Sequence, residues 1–424
     1  MKRKSRKIVL FIVLMLMIVP LSSCNNTNSN NRTISSMKTD AARDGKWLAD
    51  IEFVEKELPQ RHKNLFFKLK EQDFHNNIED IIERVPELTD DEVIIEMSKL
   101  IASVGDGHTR FSFNSEEIYP FGFYYFNDGV YLVDTVPEHS EFIGYRLKGI
   151  NDTNIKDLMQ LVKPIISHEN EPQFKNLFTK YIIFPEVLNG LKISSSSSSE
   201  FIFIDKDGNE RSVKAETYKN NDIEPVGRNI EDDVEMLYLK NPNKNYWYEY
   251  IEDENILYFQ YSSCTNMKEL SFKDFNTELF NFIDNNSIDK LVIDLRNNGG
   301  GNSSVMSPFF RELRKRKALN DPKKLFVIIG RKTFSSAILN ALEFKNNTNA
   351  TFVGEPTGGK PNHYGEVKIL DLTNTNTRVT YSSKYFEHSS EDLNTMIPDF
   401  LVEPKAEDYF KNIDRVLLRI MEIE

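Results

Sequence analysis

The segment 291–301 reads LVIDLRNNGGG, an apolar run of strand length followed by a polar turn and three glycines. A helical pattern follows from Ser304 to Lys317. Strand, glycine turn and helix in this order predict one unit of an α/β sheet. The glycines allow positive φ angles, and N–H groups at the helix start favour an anion or a developing oxyanion. A tight turn without chemistry is the alternative interpretation, and no Gly-Lys-Ser/Thr follows that would indicate a phosphate-binding loop.

The same alternation continues on both sides of this segment. Further apolar strands are predicted at 256–261, 325–329 and 351–353, with helices at about 272–285, 336–344 and 409–421. Strands that alternate with helices predict a central sheet with parallel pairs, which carries its functional residues at the carboxyl ends of its strands. We therefore expect an α/β core over 241–424.

The chain before this core is organised differently. Residues 41–115 are predicted to be a helical N-terminal region, in which Thr89 to Glu92 forms a capping box. Residues 116–220 are predicted to be a small α/β module with a hairpin turn at Asn127-Asp128-Gly129, and the polar stretch 221–240 to be a linker. The expected fold class is thus α/β, or mixed α+β, in several units.

The N-terminus has the pattern of an export signal. A basic start precedes twelve apolar residues from Ile8 to Val19, too few to span ~30 Å of hydrocarbon as a helix. Leu21-Ser22-Ser23-Cys24 follows and resembles a bacterial lipobox, which implies that residues 1–24 are a lipoprotein signal peptide and that Cys24 receives the lipid. An ordinary signal peptide or a signal anchor is the alternative. The polar residues 25–40 predict a flexible tether.

Composition excludes several classes of protein. A net charge of -12 argues against a nucleic-acid binder, which needs a basic face for phosphates. The only other cysteine, Cys264, predicts a small buried side chain, and no disulfide framework is possible. The seven histidines show no metal-binding pattern, so neither a metal nor another cofactor is predicted.

Two further loops follow predicted strands. Gly330 to Ala337 contains Ser335 and Ser336 at a helix start, where a serine is most often only a cap. Gly354 to Asn362 contains Lys360, and a loop lysine is usually only solvated. Each residue alone is weak evidence, because a serine nucleophile needs a base within hydrogen-bond reach.

Together with Asp106-Gly107-His108-Thr109 and Ile397-Pro398-Asp399, these loops resemble the C-terminal processing or tail-specific protease family, whose distant relatives include the tricorn protease core. In that family the serine lies 25 positions before a lysine, as Ser335 lies before Lys360. The resemblance implies that Ser335 is the nucleophile, that Lys360 is its base, and that the N–H groups of Ser336 and Gly300 form the oxyanion hole. It also implies that 116–220 is a degenerate PDZ-like module that guides a protein or peptide substrate.

The resemblance is incomplete at the base. Tyr364 stands where the family often has a glutamine that orients the lysine, and His108 matches the histidine base of the tricorn branch. His108 is therefore an accessory group or the alternative base. The sequence predicts a membrane-anchored, extracytoplasmic serine endopeptidase, with a non-catalytic peptide-binding lipoprotein and an esterase as alternatives. It does not predict an oligomeric state.

Overall fold

A computed structural model describes residues 40–223, 226–227 and 236–424. Cys24, the predicted signal peptide 1–24, nearly all of the tether and much of the linker 221–240 lie outside these residues. Within the described ranges, no helix is both long enough and apolar enough to cross a bilayer.

The N-terminal region is helical, as predicted. Its elements are α1 (Ala41–Arg61), α2 (Glu71–Arg84), α3 (Asp90–Ala102) and the short strand β1 (Arg110–Ser112). The capping box at the start of α3 is confirmed, since Thr89 and Glu92 exchange both hydrogen bonds. Pro59 lies inside the last turn of α1, where the buried side chains before it hold the helix, and Asp73 lies in the first turn of α2.

The middle region is a small α/β module. A seven-stranded sheet contains β3 (Phe121–Phe126), β4 (Gly129–Thr135), β5 (Arg146–Ile150), β6 (Thr153–Asn154), β7 (Ser198–Ile204), β8 (Glu210–Glu216) and β10 (Val226–Gly227). Strands β2 (Glu117–Ile118) and β9 (Tyr218–Lys219) pair separately, and the helices are α4 (Ile155–Val162), α5 (Glu171–Tyr181) and α6 (Pro185–Gly190). The hairpin between β3 and β4 is confirmed.

The C-terminal region is built on a six-stranded sheet. Its strands are β11 (Tyr246–Ile251), β12 (Ile256–Tyr261), β13 (Lys290–Asp294), β14 (Leu325–Ile329), β15 (Thr351–Gly354) and β18 (Phe400–Leu401). They lie in the order β11-β12-β13-β14-β15-β18, and every neighbouring pair is parallel except β11 and β12. The helices are α7 (Phe272–Asn285), α8 (Ser307–Lys315), α9 (Ser336–Asn347), α10 (Ala406–Phe410) and α11 (Arg415–Met421). The predicted α/β class is confirmed.

Both faces of this sheet are buried, so its central strands are mostly apolar. Leu257 and Phe259 pack with α7, α8 and α9 on one face, while Ile256 and Tyr258 pack with α11 on the other. The carboxyl ends of β13, β14 and β15 lead into the glycine turn, the serine loop and the lysine loop that the sequence singled out. A parallel sheet brings these ends to one edge.

A long hairpin that the sequence did not predict connects the regions. Its strands are β16 (His363–Leu372) and β17 (Thr377–Phe386), and β1 extends it to three strands. Leu370 and Val379 on the hairpin pack into the core of the N-terminal helices. The segment 106–109 directly precedes β1, and β1 pairs with β17 of the hairpin. This pairing places His108 near the lysine loop, which precedes β16.

Candidate active site

Ser335 occupies the N-cap position of α9 in an unusual backbone conformation. Its φ and ψ are 55° and -127°, and its side chain makes no capping hydrogen bond. Positive φ in a non-glycine residue is strained and occurs often at functional sites. Ser336, in contrast, donates its hydroxyl to the Gly301 carbonyl at 2.7 Å. The hydroxyl of Ser335 is therefore the one that remains available for chemistry.

The glycine turn lies directly against this serine. A Cβ atom on Gly300, whose φ is 110°, would come within 2.8 Å of the Ser335 Cβ and 3.1 Å of the Ser336 nitrogen. Only glycine allows so close an approach. The Gly300 N–H itself donates to Asn298 Oδ1 at 2.9 Å. The predicted oxyanion role of Gly300 thus remains a prediction, and it requires that this N–H be shared between Asn298 and the substrate.

His108 lies beside the serine loop. Its ring stacks on Phe334, the residue before Ser335, with centroids 4.3 Å apart. The side chain is only 6% exposed, and neither ring nitrogen has a hydrogen-bond partner among the described residues. Its Nδ1 lies 3.7 Å from Asp106 Oδ1 and 4.0 Å from Glu169 Oε1. Buried ring nitrogens that make no hydrogen bond lower the stability of the fold. Their presence between two carboxyl groups therefore indicates a functional role for His108.

Asp106 organises the segment that carries His108. Its carboxylate accepts hydrogen bonds from the His108 N–H at 2.9 Å and from the Thr109 and Ser382 hydroxyls at 2.6 Å each, and His62 Nε2 lies 3.2 Å away. Burial alone would raise the pKa of Asp106, but the nearby imidazoles of His108 and His62 outweigh it and hold the pKa well below its usual range. Asp106 is therefore an ionised, fully bonded anchor for the His108 backbone.

Glu169 is a site residue that the sequence analysis missed. It precedes α5, its side chain is 3% exposed, and burial raises its pKa to about 7 against the opposing effect of His108. Its Oε2 accepts the Lys360 N–H at 3.0 Å, so it joins the lysine loop to His108. No local pattern marks Glu169, since it stands alone in a polar loop and only the fold brings it to the site.

Lys360 contacts Glu169 and His363 through its backbone. Its carbonyl accepts a hydrogen bond from His363 Nδ1 at 2.9 Å, while its Nζ pairs with Asp392 at 3.1 Å. Burial and the charge of His108 lower the pKa of His363 to about 4, so this ring is neutral at pH 7. The neighbouring Gly359 N–H donates to the Thr333 carbonyl at 3.1 Å, which packs the lysine loop onto the serine loop.

One group of side chains in the described part of the chain is close enough to hold a metal ion, namely Asp106, His108 and Glu169. Both oxygens of Asp106 already accept protein hydrogen bonds. Only His108 and Glu169 offer free ligand atoms, fewer than the three that catalytic zinc sites use. The cluster is better suited to acid–base chemistry.

Comparison with known proteins gives a family match for part of the chain and a shared fold for most of it. Residues 255–402 match the model of peptidase family S41. The structure of mature CPAF complexed with lactacystin superposes with a TM-score of 0.62 at 13% identity, covering 90% of this chain and all of that one. A CPAF mutant superposes with a TM-score of 0.63 at 13% identity, over 90% and 97% of the two chains. These likenesses show a shared fold. No curated protein matches the chain.

The matched residues contain the glycine turn, the serine loop and the lysine loop, which are the segments that meet at the carboxyl edge of the sheet. The part of the chain that carries these loops, residues 255–402, is therefore similar to the serine peptidases of family S41, as the resemblance to the tail-specific proteases predicted.

Proposed function

We propose that this peptidase cleaves extracytoplasmic proteins or peptides from a membrane-anchored position, with Ser335 as nucleophile and His108 as its base. The observation that carries the proposal is the stacking of a buried, unpartnered His108 on Phe334, next to a strained Ser335 that does not cap its helix. A nucleophile needs a neighbouring base that is free to accept its proton.

His108 supports the proposal because it lies against the serine loop and its ring nitrogens are free to accept a proton. Its ring nitrogens are free, and the ionised Asp106 and the titratable Glu169 lie within 4.0 Å of Nδ1. Either carboxylate would stabilise the imidazolium that forms when His108 removes the Ser335 proton. His108 would then return that proton to the leaving amine. A general base of this kind contributes roughly 10²–10⁴ in rate.

The Ser–Lys mechanism expected from the sequence is the second candidate. It is supported by the 25-residue spacing and by the packing of the lysine loop on the serine loop. In the described conformation the Lys360 ammonium pairs with Asp392, and an ammonium held by a carboxylate cannot accept a proton. Asp392 is 72% exposed, so this pair is worth only about 0–1 kcal/mol, and substrate binding can release the lysine.

The oxyanion of the tetrahedral intermediate would face the Ser336 N–H and the glycine turn. The Ser336 nitrogen belongs to the first turn of α9, where N–H groups have no partner within the helix. Each well-placed donor contributes about 3–4 kcal/mol to the transition state. The PDZ-like role of the module 116–220 and the lipid anchor at Cys24 are parts of the same proposal.

The test combines a covalent probe with a peptide panel. We expect a fluorophosphonate to label the parent protein and the Ser336→Ala variant, and to leave Ser335→Ala unlabelled. Peptide hydrolysis should follow the same pattern, because the Ser336 side chain contributes only its bond to Gly301. Labelling without peptide cleavage would favour an esterase, and no labelling at all would favour a non-catalytic peptide-binding protein.

A further inference from the structure

His62 lies behind Asp106, in the N-terminal helical region that the proposed mechanism does not use. It caps the end of α1, where its N–H donates to the Leu58 carbonyl at 3.0 Å, and its side chain is completely buried. The next residue, Lys63, donates its N–H to the Ser382 carbonyl on β17 at 2.8 Å. The end of α1 is therefore bonded to the hairpin strand that also pairs with β1.

The hydrogen bonds of His62 determine which ring nitrogen carries the proton. Nδ1 lies 3.0 Å from the backbone nitrogen of Asn64. A backbone N–H can only donate, so Nδ1 is the acceptor and the neutral ring carries its proton on Nε2. Nε2 lies 3.2 Å from Asp106 Oδ2 and donates to it. Both ring nitrogens of His62 are therefore bonded, in contrast to those of His108.

Asp106 lies between these two buried histidine rings. Its Oδ2 accepts from His62, while its Oδ1 accepts the His108 N–H at 2.9 Å and lies 3.7 Å from His108 Nδ1. A donor to one oxygen of a carboxylate helps to fix the plane of the group, and hydrogen bonds in a chain polarise one another. The orientation and charge distribution of the carboxylate beside His108 therefore depend on His62.

His62 also contacts the start of the hairpin. Its ring lies 5.4 Å from the ring of Tyr364, the second residue of β16, measured between centroids. His62 thus packs between the segment that carries His108 and the strand that follows the lysine loop. It belongs to α1 and lies 44 positions before Asp106, so only the packing of the N-terminal helices brings it there.

We propose that His62 is a positioning residue of the active site, which holds the Asp106 carboxylate where it supports His108. This inference rests on the proposed function, because His62 acts through His108 as the base. It deepens that function by giving the N-terminal helical region a part in catalysis. Loss of the Nε2 donor should slow the chemical step and leave substrate binding intact, since it alters the support of the base and no substrate contact.

Two substitutions separate the Nε2 donor from the rest of the side chain. The amide nitrogen of His62→Gln can take the place of Nε2 and donate to Asp106, whereas the shorter His62→Asn reaches only the Asn64 N–H. We expect His62→Asn to lower kcat about tenfold with KM within about twofold of the parent, and His62→Gln to stay within about threefold in kcat. If His62→Asn does not fold, His62→Phe replaces it, because it keeps a ring without a donor, and the expectation is the same.

The matched control is His75→Asn. His75 belongs to the same helical region, and its Nδ1 contacts Glu55 Oε1 at 2.6 Å, but both side chains are about one-third exposed. The substitution thus removes a histidine–carboxylate contact that does not lead to His108, and kcat should not change.

NMR of isotopically labelled histidine side chains gives a second measurement that needs no turnover. His62→Asn should shift the imidazole signals of His108, His62→Gln should shift them much less, and His75→Asn should leave them in place. An unchanged kcat in His62→Asn, equal losses of kcat in His62→Asn and His62→Gln, or unshifted His108 signals would overturn the positioning role. Absence of peptide hydrolysis in the parent, with the His108 signals responding as expected, would refute the proposed function alone.

Discussion

Replacing Glu169 by glutamine should stabilise the protein at alkaline pH and damage catalysis. The pKa of Glu169 is raised from 4.5 to about 7, chiefly by burial, so the folded state holds this proton more tightly than the unfolded chain does. The resulting stability is fully present below pH 4.5 and is lost as the pH rises through 7. A rise of this size corresponds to about 3 kcal/mol.

Glu169→Gln removes this pH-dependent loss while keeping an oxygen that can accept the Lys360 N–H. We therefore expect the variant to gain ~1–3 kcal/mol in unfolding free energy relative to the parent at pH 8.5, and little at pH 5. Urea unfolding at both pH values measures the difference. The control is Glu171→Gln, an exposed position whose carboxylate pairs with Lys163 at 2.8 Å. A difference between parent and variant that is the same at both pH values would refute the reasoning.

The same substitution should lower kcat/KM at pH 8, because it removes a negative charge 4.0 Å from His108 Nδ1. A loss of about tenfold is expected, corresponding to 1.4 kcal/mol of stabilisation of the imidazolium. An unchanged rate would mean that Asp106 alone supports His108.

Three other predictions concern the turn, a helix cap and the anchor. Gly300→Ala should abolish hydrolysis and cost ~1–3 kcal/mol, because its Cβ would strike Ser335 at 2.8 Å, whereas Gly299→Ala has open space and should be mild in the same assays. Thr89→Ala should lower the unfolding free energy by about 1 kcal/mol without changing kcat, as measured by urea unfolding. Mass spectrometry of the mature chain should show diacylglyceryl-modified Cys24, and a mature form that starts elsewhere would contradict the anchor.

The sequence predicted the α/β core well because its strands are buried on both faces. Leu325–Ile329 is an uninterrupted apolar run and Ile256–Tyr261 is interrupted only by Gln260, and the predicted bounds of both agree with the structure. The glycine turn was predictable for a related reason, since close backbone approach and positive φ restrict the residues that fit there. Ser335 was singled out by its spacing of 25 positions from Lys360.

The hairpin β16–β17 was not predicted because much of it is exposed. Val367 and Ile369, for example, are 45% and 41% exposed, so its alternation of apolar and polar residues does not report a buried face. Glu169 could not be predicted either, because it lies 191 positions before Lys360 in the sequence and only tertiary packing brings it to the Lys360 backbone. Motif spacing located the lysine loop correctly but did not reveal where the ammonium points.

The base of Ser335 is best tested by comparing kcat/KM for His108→Ala and Lys360→Ala on one peptide at pH 8. We expect His108→Ala to lose roughly 10²–10⁴-fold, the usual contribution of a general base. Lys360→Ala should stay within about tenfold of the parent, because its ammonium bonds an exposed Asp392 and its backbone contacts survive the substitution. If Lys360→Ala is inactive and His108→Ala retains near-normal kcat/KM, the base is the lysine and the role proposed for His108 is wrong.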